Sequence, residues 1–270
     1  IMVLCRGGKY KHEKYRKIHG YPRNLLQIGK ECRLYHNGSS LPVQFLLSSL
    51  CYKIRGKDNS DCSMLRNKSI LFVIFVFMKK VLVIDNYDSF VYNVIQLLRE
   101  AVVPVGYDIV RNDKIDFSGL GDYGGILLSP GPGIPAEAGE LLKLIEFCKY
   151  THPILGICLG HQAIAETFGA SLYNLSRPLH GHRSVLKKVD EHDPLFEDLA
   201  DPIQVGRYHS WVIDPETMPG ELITSSIDEQ GHIMSFYHTE LPIHGIQFHP
   251  ESYISDCGSG IIRNWLKMVR

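Results

Sequence analysis

The sequence predicts an α/β protein built on an open, mostly parallel sheet flanked by helices. Two observations on residues 80–270 predict it. Short, continuous apolar runs alternate with stretches of helical period, and most runs end in polar or glycine-rich turn residues. A run without polar alternation suits a strand covered on both faces, as in parallel sheets.

The elements follow in order. Val81–Ile84 reads as a buried strand ending at Asp85-Asn86. Ser89 is the expected N-cap of a helix over Phe90–Glu100, whose apolar face is Val91, Val94, Ile95 and Leu98. Tyr107–Val110 and Gly125–Leu128 read as the second and third strands, and Glu137–Lys149 as a helix with a broad apolar face. Ile154–Ile157 is the next strand, and Leu159–Phe168 the next helix, closed by Gly169. The second half holds more strand than helix: Ser184–Val189, Ile203–Tyr208, Leu222–Ser226, Ile233–Tyr237 and Ile243–Phe248. A last helix is expected over Ser259–Val269.

Residues 1–77 differ in character. They carry fourteen Lys and Arg against four acids, while residues 78–270 carry fifteen against twenty-five, so the net charge of zero is a cancellation. The run Ile70–Met78 is apolar and is followed by Lys79-Lys80. It is shorter than the ~20 residues of a membrane span, and as a signal core it lies too far from the N-terminus and lacks a small-residue cleavage site. The expectation is a basic extension, 1–77, outside the native domain, with Met78 as the natural start and 78–270 as the domain. A nucleic-acid arm is the weaker alternative, since no stacking aromatics or recognised fold accompany the basic residues. The seven cysteines are odd in number and form no C-x-x-C pair, which disfavours a disulfide framework or a zinc site and suits a reducing, cytoplasmic setting.

The chemistry centres on Gly156-Ile157-Cys158-Leu159-Gly160, at an expected strand-to-helix junction. G-x-C-x-G is the thiol counterpart of a nucleophile elbow, and the following helix N-terminus favours a thiolate. The same cysteine also reads as a small buried apolar residue. A reactive cysteine needs a base and an orienter. His249 and Glu251, in His249-Pro250-Glu251 after an apolar run, supply that pair. Ser129-Pro130-Gly131-Pro132-Gly133 offers exposed backbone N–H groups which, with that of Leu159, can hold a developing oxyanion. Each of these segments alone also reads as an ordinary turn, or, for one of thirteen histidines, a satisfied side chain.

Taken together, six segments resemble the class I glutamine amidotransferases, and within them the small subunits of anthranilate synthase and aminodeoxychorismate synthase. They are Asp85–Asn93, Leu128–Gly139, Gly156–Ile164, Leu179–His182, Arg207–Trp211 and His244–Ser252. The resemblance covers about residues 78 to 270 and implies a flavodoxin-like fold. It implies that Cys158 attacks the side-chain amide of L-glutamine, that His249 shuttles the proton, and that Glu251 orients His249. Glutamine contacts carry over to Gly131, Pro132, Gly133, Leu159, Gln162, Ser210 and Trp211. Gln162 also reads as an exposed helix residue, and Tyr208–Ser210 as a plain turn. Where the family has H-G-K, this chain has His180-Gly181-His182, followed by Arg183. That loop is associated with the partner interface, so the departure bears on coupling and not on the triad.

The resemblance also implies a partner: a chorismate-binding synthase subunit that receives the ammonia and binds the magnesium, with no cofactor in this chain. No P-loop or second catalytic segment follows Met78, so ammonia has no acceptor here. Anthranilate, in tryptophan biosynthesis, is the preferred product, and aminodeoxychorismate, in folate biosynthesis, the alternative. A stand-alone cysteine γ-glutamyl hydrolase is the rival. No nucleic acid or membrane is expected as a partner.

Overall fold

The computed structural model describes residues 80–101 and 105–269, preceded by three short strands. The chain falls into two units, Ile1–Phe77 and Met78–Arg270. In the first, β1 (Met2–Leu4), β2 (Arg33–His36) and β3 (Ser39–Pro42) pair antiparallel in that order. The Ile70–Met78 run lies outside the described residues.

The second unit is the expected α/β layer. Its strands are β4 (Lys80–Asp85), β5 (Tyr107–Arg111), β6 (Tyr123–Leu128), β7 (Ile154–Ile157), β8 (Leu172–Val185), β9 (Lys187–Lys188), β10 (Gln204–Ile213), β11 (Leu222–Ile227), β12 (Ile233–His238) and β13 (Ile243–Ile246). Its helices are α1 (Val91–Glu100), α2 (Leu141–Cys148), α3 (Leu159–Thr167) and α4 (Gly258–Leu266). The main sheet has eight strands in the order β5-β4-β6-β7-β13-β12-β11-β9. The first five pair in parallel, in the flavodoxin-like pattern, and the last three extend the sheet antiparallel.

Continuous apolar runs arise because successive strand residues point to opposite, equally covered faces. Val81, Val83, Leu127, Leu155 and Ile157 join α1 and α4 through Val94, Ile95, Ile261 and Trp265. Leu82, Ile84, Ile126, Leu128 and Ile154 join α2 and α3 through Leu141, Leu144 and Ile164 on the other face. Full burial of such side chains stabilises by roughly 1.5–3 kcal/mol each.

Several expected boundaries move. Phe90, not Ser89, is the N-cap of α1, and Asp88 accepts the Phe90 N–H at 3.0 Å. That carboxylate closes a local turn and displaces the serine from the cap role. The helix expected from Glu137 starts at Leu141, after a 3₁₀ turn over Pro135–Glu137 and a bend at Gly139 with φ 57°. Ser184–Val189 is not one strand: β8 begins at Leu172 and pairs with β10 in a separate antiparallel ribbon. Most of β8 is exposed, so it shows no apolar alternation to read. Tyr208–Ser210 lies within β10 and is not a turn. β13 ends at Ile246, two residues short of the expected Phe248.

Candidate active site

The elbow forms where β7 meets α3. Cys158 is the N-cap residue of α3, with φ 51° and ψ −100°, a conformation costly for a residue with a side chain. Its N–H donates to the Ile246 carbonyl at 2.8 Å, tying the turn to the end of β13. A Cβ on Gly156 would stand 2.4 Å from the carbonyl carbon and oxygen of Gly160, so this turn closes only without a side chain there. The thiol is buried, at 4% exposure.

β7 and β13 are parallel with Ile157 opposite Ile246, so their chains leave the sheet side by side at one rim. β13 thereby delivers His249 near Cys158. The His249 N–H donates to the Gly206 carbonyl on β10 at 2.9 Å, and this bridge holds the loop in place of the expected strand end. The His249 Nδ1–H donates to Glu251 Oε1 at 2.7 Å, and both side chains are buried. Tyr208 meets the imidazole edge-on with centroids 5.0 Å apart, and Phe90 does so at 6.4 Å.

Burial is the largest influence on the His249 charge and disfavours imidazolium. The Cys158 sulfur, by charge and hydrogen bonding, and then Glu251, outweigh it and raise the pKa well above the usual histidine value. Nε2 nevertheless makes no fully formed hydrogen bond among the described residues. A looser contact of this kind is common before substrate binds. Asp88, half-buried beside this group, has its carboxyl pushed up by burial, against the pull of His249. Sequence reading missed it.

The loop after β6 lies against the elbow. A Cβ on Gly131 would stand 2.6 Å from both Asn86 Cβ and Leu159 Cδ2, so backbone packs directly on the start of α3. Asn86 ties the loops together: its N–H donates to Ser129 Oγ at 3.0 Å and its Nδ2 to the Ser129 carbonyl at 2.8 Å. Gly131 is half-buried, whereas Pro132 and Gly133 are exposed. Leu159 is the first residue of α3, where helix N–H groups lack intrahelical partners.

Gln162 is buried at 3% exposure, which rules out the exposed-residue reading. Its Nε2 donates to the Trp211 carbonyl at 2.8 Å and so links α3 to β10. Ser210 sits at an irregularity in the β8–β10 pairing, between His209 and Trp211, where a bulge re-aims side chains. Ser210 and Trp211 are both half-buried. The structure thus gathers Cys158, His249, Glu251, Leu159, Gly131, Gln162 and Trp211 at one rim of the sheet. An open cleft of about 690 Å³ flanks the Glu251 side, lined by Phe90, His180, Tyr208, Glu251, Ser252 and Tyr253.

Sequence reading also missed Gln247 and Arg207, which are 0% and 1% exposed. Gln247 stands between the apolar Ile246 and Phe248, and that placement was the available signal, whereas Arg207 shares β10 with other polar residues and gave none. Among the described residues there is no cluster of His, Cys, Asp and Glu suited to a metal, and no helix long and apolar enough to cross a membrane.

Comparison with known proteins follows the same outline. Residues 82–269 match the family model described as glutamine amidotransferase class-I. The Mycobacterium tuberculosis anthranilate synthase component 2 is 41% identical over 192 residues, covering 69% of this chain and 81% of that protein. The Bacillus subtilis aminodeoxychorismate/anthranilate synthase component 2 is 40% identical over 196 residues, covering 70% and 97%. A crystal structure of a glutamine amidotransferase from Thermotoga maritima matches with a TM-score of 0.57 at 20% identity, covering 72% and 99%. At that identity the likeness speaks for the fold alone.

Proposed function

This chain belongs to the class I glutamine amidotransferases, and from that membership we infer that it is the glutaminase subunit of a chorismate-using synthase. Anthranilate synthase is the preferred assembly and aminodeoxychorismate synthase the alternative, as both names occur among its relatives. The observation that carries the reading is the His249–Glu251 pair at 2.7 Å beside a cysteine held in an elbow.

In the proposed reaction, the Cys158 thiol proton passes to Nε2 of His249, and the sulfur attacks the side-chain amide carbon of L-glutamine. The Leu159 N–H and the Gly131–Gly133 loop receive the developing oxyanion, each donor contributing about 3 kcal/mol. Collapse breaks the C–N bond, and the His249 proton leaves with the nitrogen as ammonia. Water then attacks the γ-glutamyl thioester with His249 as base, which releases glutamate and restores the thiol. Glu251 accepts from Nδ1–H and holds the ring in that orientation. Gln162, Ser210 and Trp211 contact the substrate. With its amide nitrogen given to Trp211, Gln162 presents its carbonyl oxygen as the acceptor.

Ammonia protonates in water and loses its nucleophilicity, so a closed path to the partner subunit is required. The proposed docking face is the cleft beside Glu251, because it carries His180 and Gly181 of β8 and the exposed Tyr253. Any magnesium is assigned to the partner.

Cys158→Ser tests the reading. Glutamine-dependent synthesis falls by roughly 10⁴-fold or more, while ammonia-dependent synthesis by the co-purified partner persists. Loss of both activities overturns the assignment and makes Cys158 structural. Strong glutamine hydrolysis without any partner favours the stand-alone hydrolase.

A further inference from the structure

A second side chain reaches the Cys158 sulfur. Gln247 follows β13 directly, and its backbone N–H donates to the Met234 carbonyl on β12 at 2.8 Å. Because Ile157 pairs with Ile246, the next residues on the two strands, Cys158 and Gln247, are neighbours at the rim. Nε2 of Gln247 lies 3.6 Å from Sγ of Cys158.

The orientation of that amide is fixed by its surroundings. The Trp211 carbonyl can only accept, and it takes an N–H from Gln162 Nε2 at 2.8 Å. The same Gln162 nitrogen donates to Oε1 of Gln247 at 3.0 Å. The oxygen of Gln247 is thereby occupied, and its NH₂ group faces sulfur. The Trp211 carbonyl is held from its other side by the Nδ1–H of His209 at 3.0 Å. His209 Nε2 accepts from Nε of Arg207 at 3.1 Å, which fixes the histidine tautomer, and Arg207 is anchored by an ion pair with Asp228. Apart from Trp211, which is half-buried and contributes its backbone carbonyl, every residue in this chain of contacts is buried.

We propose that Gln247 is a further catalytic residue: its amide N–H donates to the Cys158 sulfur and stabilises the thiolate, and the Arg207–His209–Trp211–Gln162 relay holds it in that orientation. The proposal rests on Cys158 being the nucleophile. A donor to a charged sulfur is stronger than one between neutral groups, and its loss is felt at the attacking atom. Gln162 and the relay act through Gln247 and are positioning groups in this role.

The test follows alkylation of Cys158 by iodoacetamide against pH, read at the Cys158 peptide by mass spectrometry. Gln247→Met removes the donor at similar volume, and Gln247→Glu puts a carboxylate in its place. In both, the alkylation midpoint moves to higher pH, and glutamine-dependent kcat falls roughly tenfold or more while KM moves less. Wild-type midpoints and kcat in either folded variant overturn the proposal. For the unmutated protein, the side-chain ¹⁵N resonance of Gln247 moves as Cys158 is alkylated; an unmoved resonance overturns it without any substitution. If wild-type Cys158 resists alkylation and Cys158→Ser keeps glutamine turnover, the nucleophile assignment itself has failed.

Discussion

Acid destabilises this protein through two buried histidines, and His161 gives the clearer measurement. It lies on α3 one turn after Cys158, fully buried, with its ring 4.7 Å from that of Phe236. Burial lowers its pKa to about 3, against a smaller opposing influence of the nearby Gly245 backbone. A histidine in the unfolded chain titrates near about 6.5. The folded value is the depressed one, so the unfolded chain binds the proton first. Stability is therefore full above pH ~6.5 and is lost as pH falls toward 3. Between pH 7 and pH 5 a group with these two values costs about 2 kcal/mol. His209, also lowered to about 3 by burial and by Arg207, adds a similar loss. The assay is urea unfolding of wild type and His161→Leu at pH 7 and pH 5. Comparing the two proteins cancels the carboxylates common to both. The variant should lose about 2 kcal/mol less than wild type over this range. Equal losses would refute the claim that His161 is held neutral by its burial.

Two further outcomes follow from the site. Glu251→Gln removes one of the groups that raise the His249 pKa, so the imidazolium titrates at lower pH and glutamine-dependent kcat falls by roughly 10³–10⁴-fold, read from pH–rate profiles. The wild-type stability advantage from this raised histidine is complete below pH ~6.5 and is lost as pH rises through its folded pKa, so the charge-dependent part of the difference vanishes at alkaline pH. Gly156→Ala forces the carbonyl of Gly160 away and costs about 1–3 kcal/mol, a drop of several degrees in Tm by calorimetry, with loss of glutaminase turnover. An unchanged Tm would mean that the elbow tolerates a side chain there.

The strands of the parallel sheet were legible because Val81–Ile84, Gly125–Leu128 and Ile154–Ile157 are covered on both faces and so carry no polar alternation. The elbow was legible because glycines flank Cys158 at the spacing a tight turn needs. β8 was not, since its exposure leaves no hydrophobic period to detect. Gln247 was hidden for the opposite reason: it stands inside a buried run, and only the register of β7 against β13 shows what it faces. The start of α2 was misplaced because helical composition begins before the backbone can turn at Gly139. No local pattern reports the pairing of Trp211 with Asn174 of β8, or the irregularity that holds Ser210.

β13 is the last strand made, yet it sits at the middle of the sheet, between β7 and β12. During synthesis Cys158 therefore leaves the ribosome long before His249, and the slot beside it stays vacant until the end. Under the proposed mechanism, nascent or prematurely terminated chains should release no ammonia, because His249, the proposed proton acceptor, has not been translated. Such fragments also carry two unzipped inner borders, which makes them natural clients for chaperones and natural seeds for misassembly.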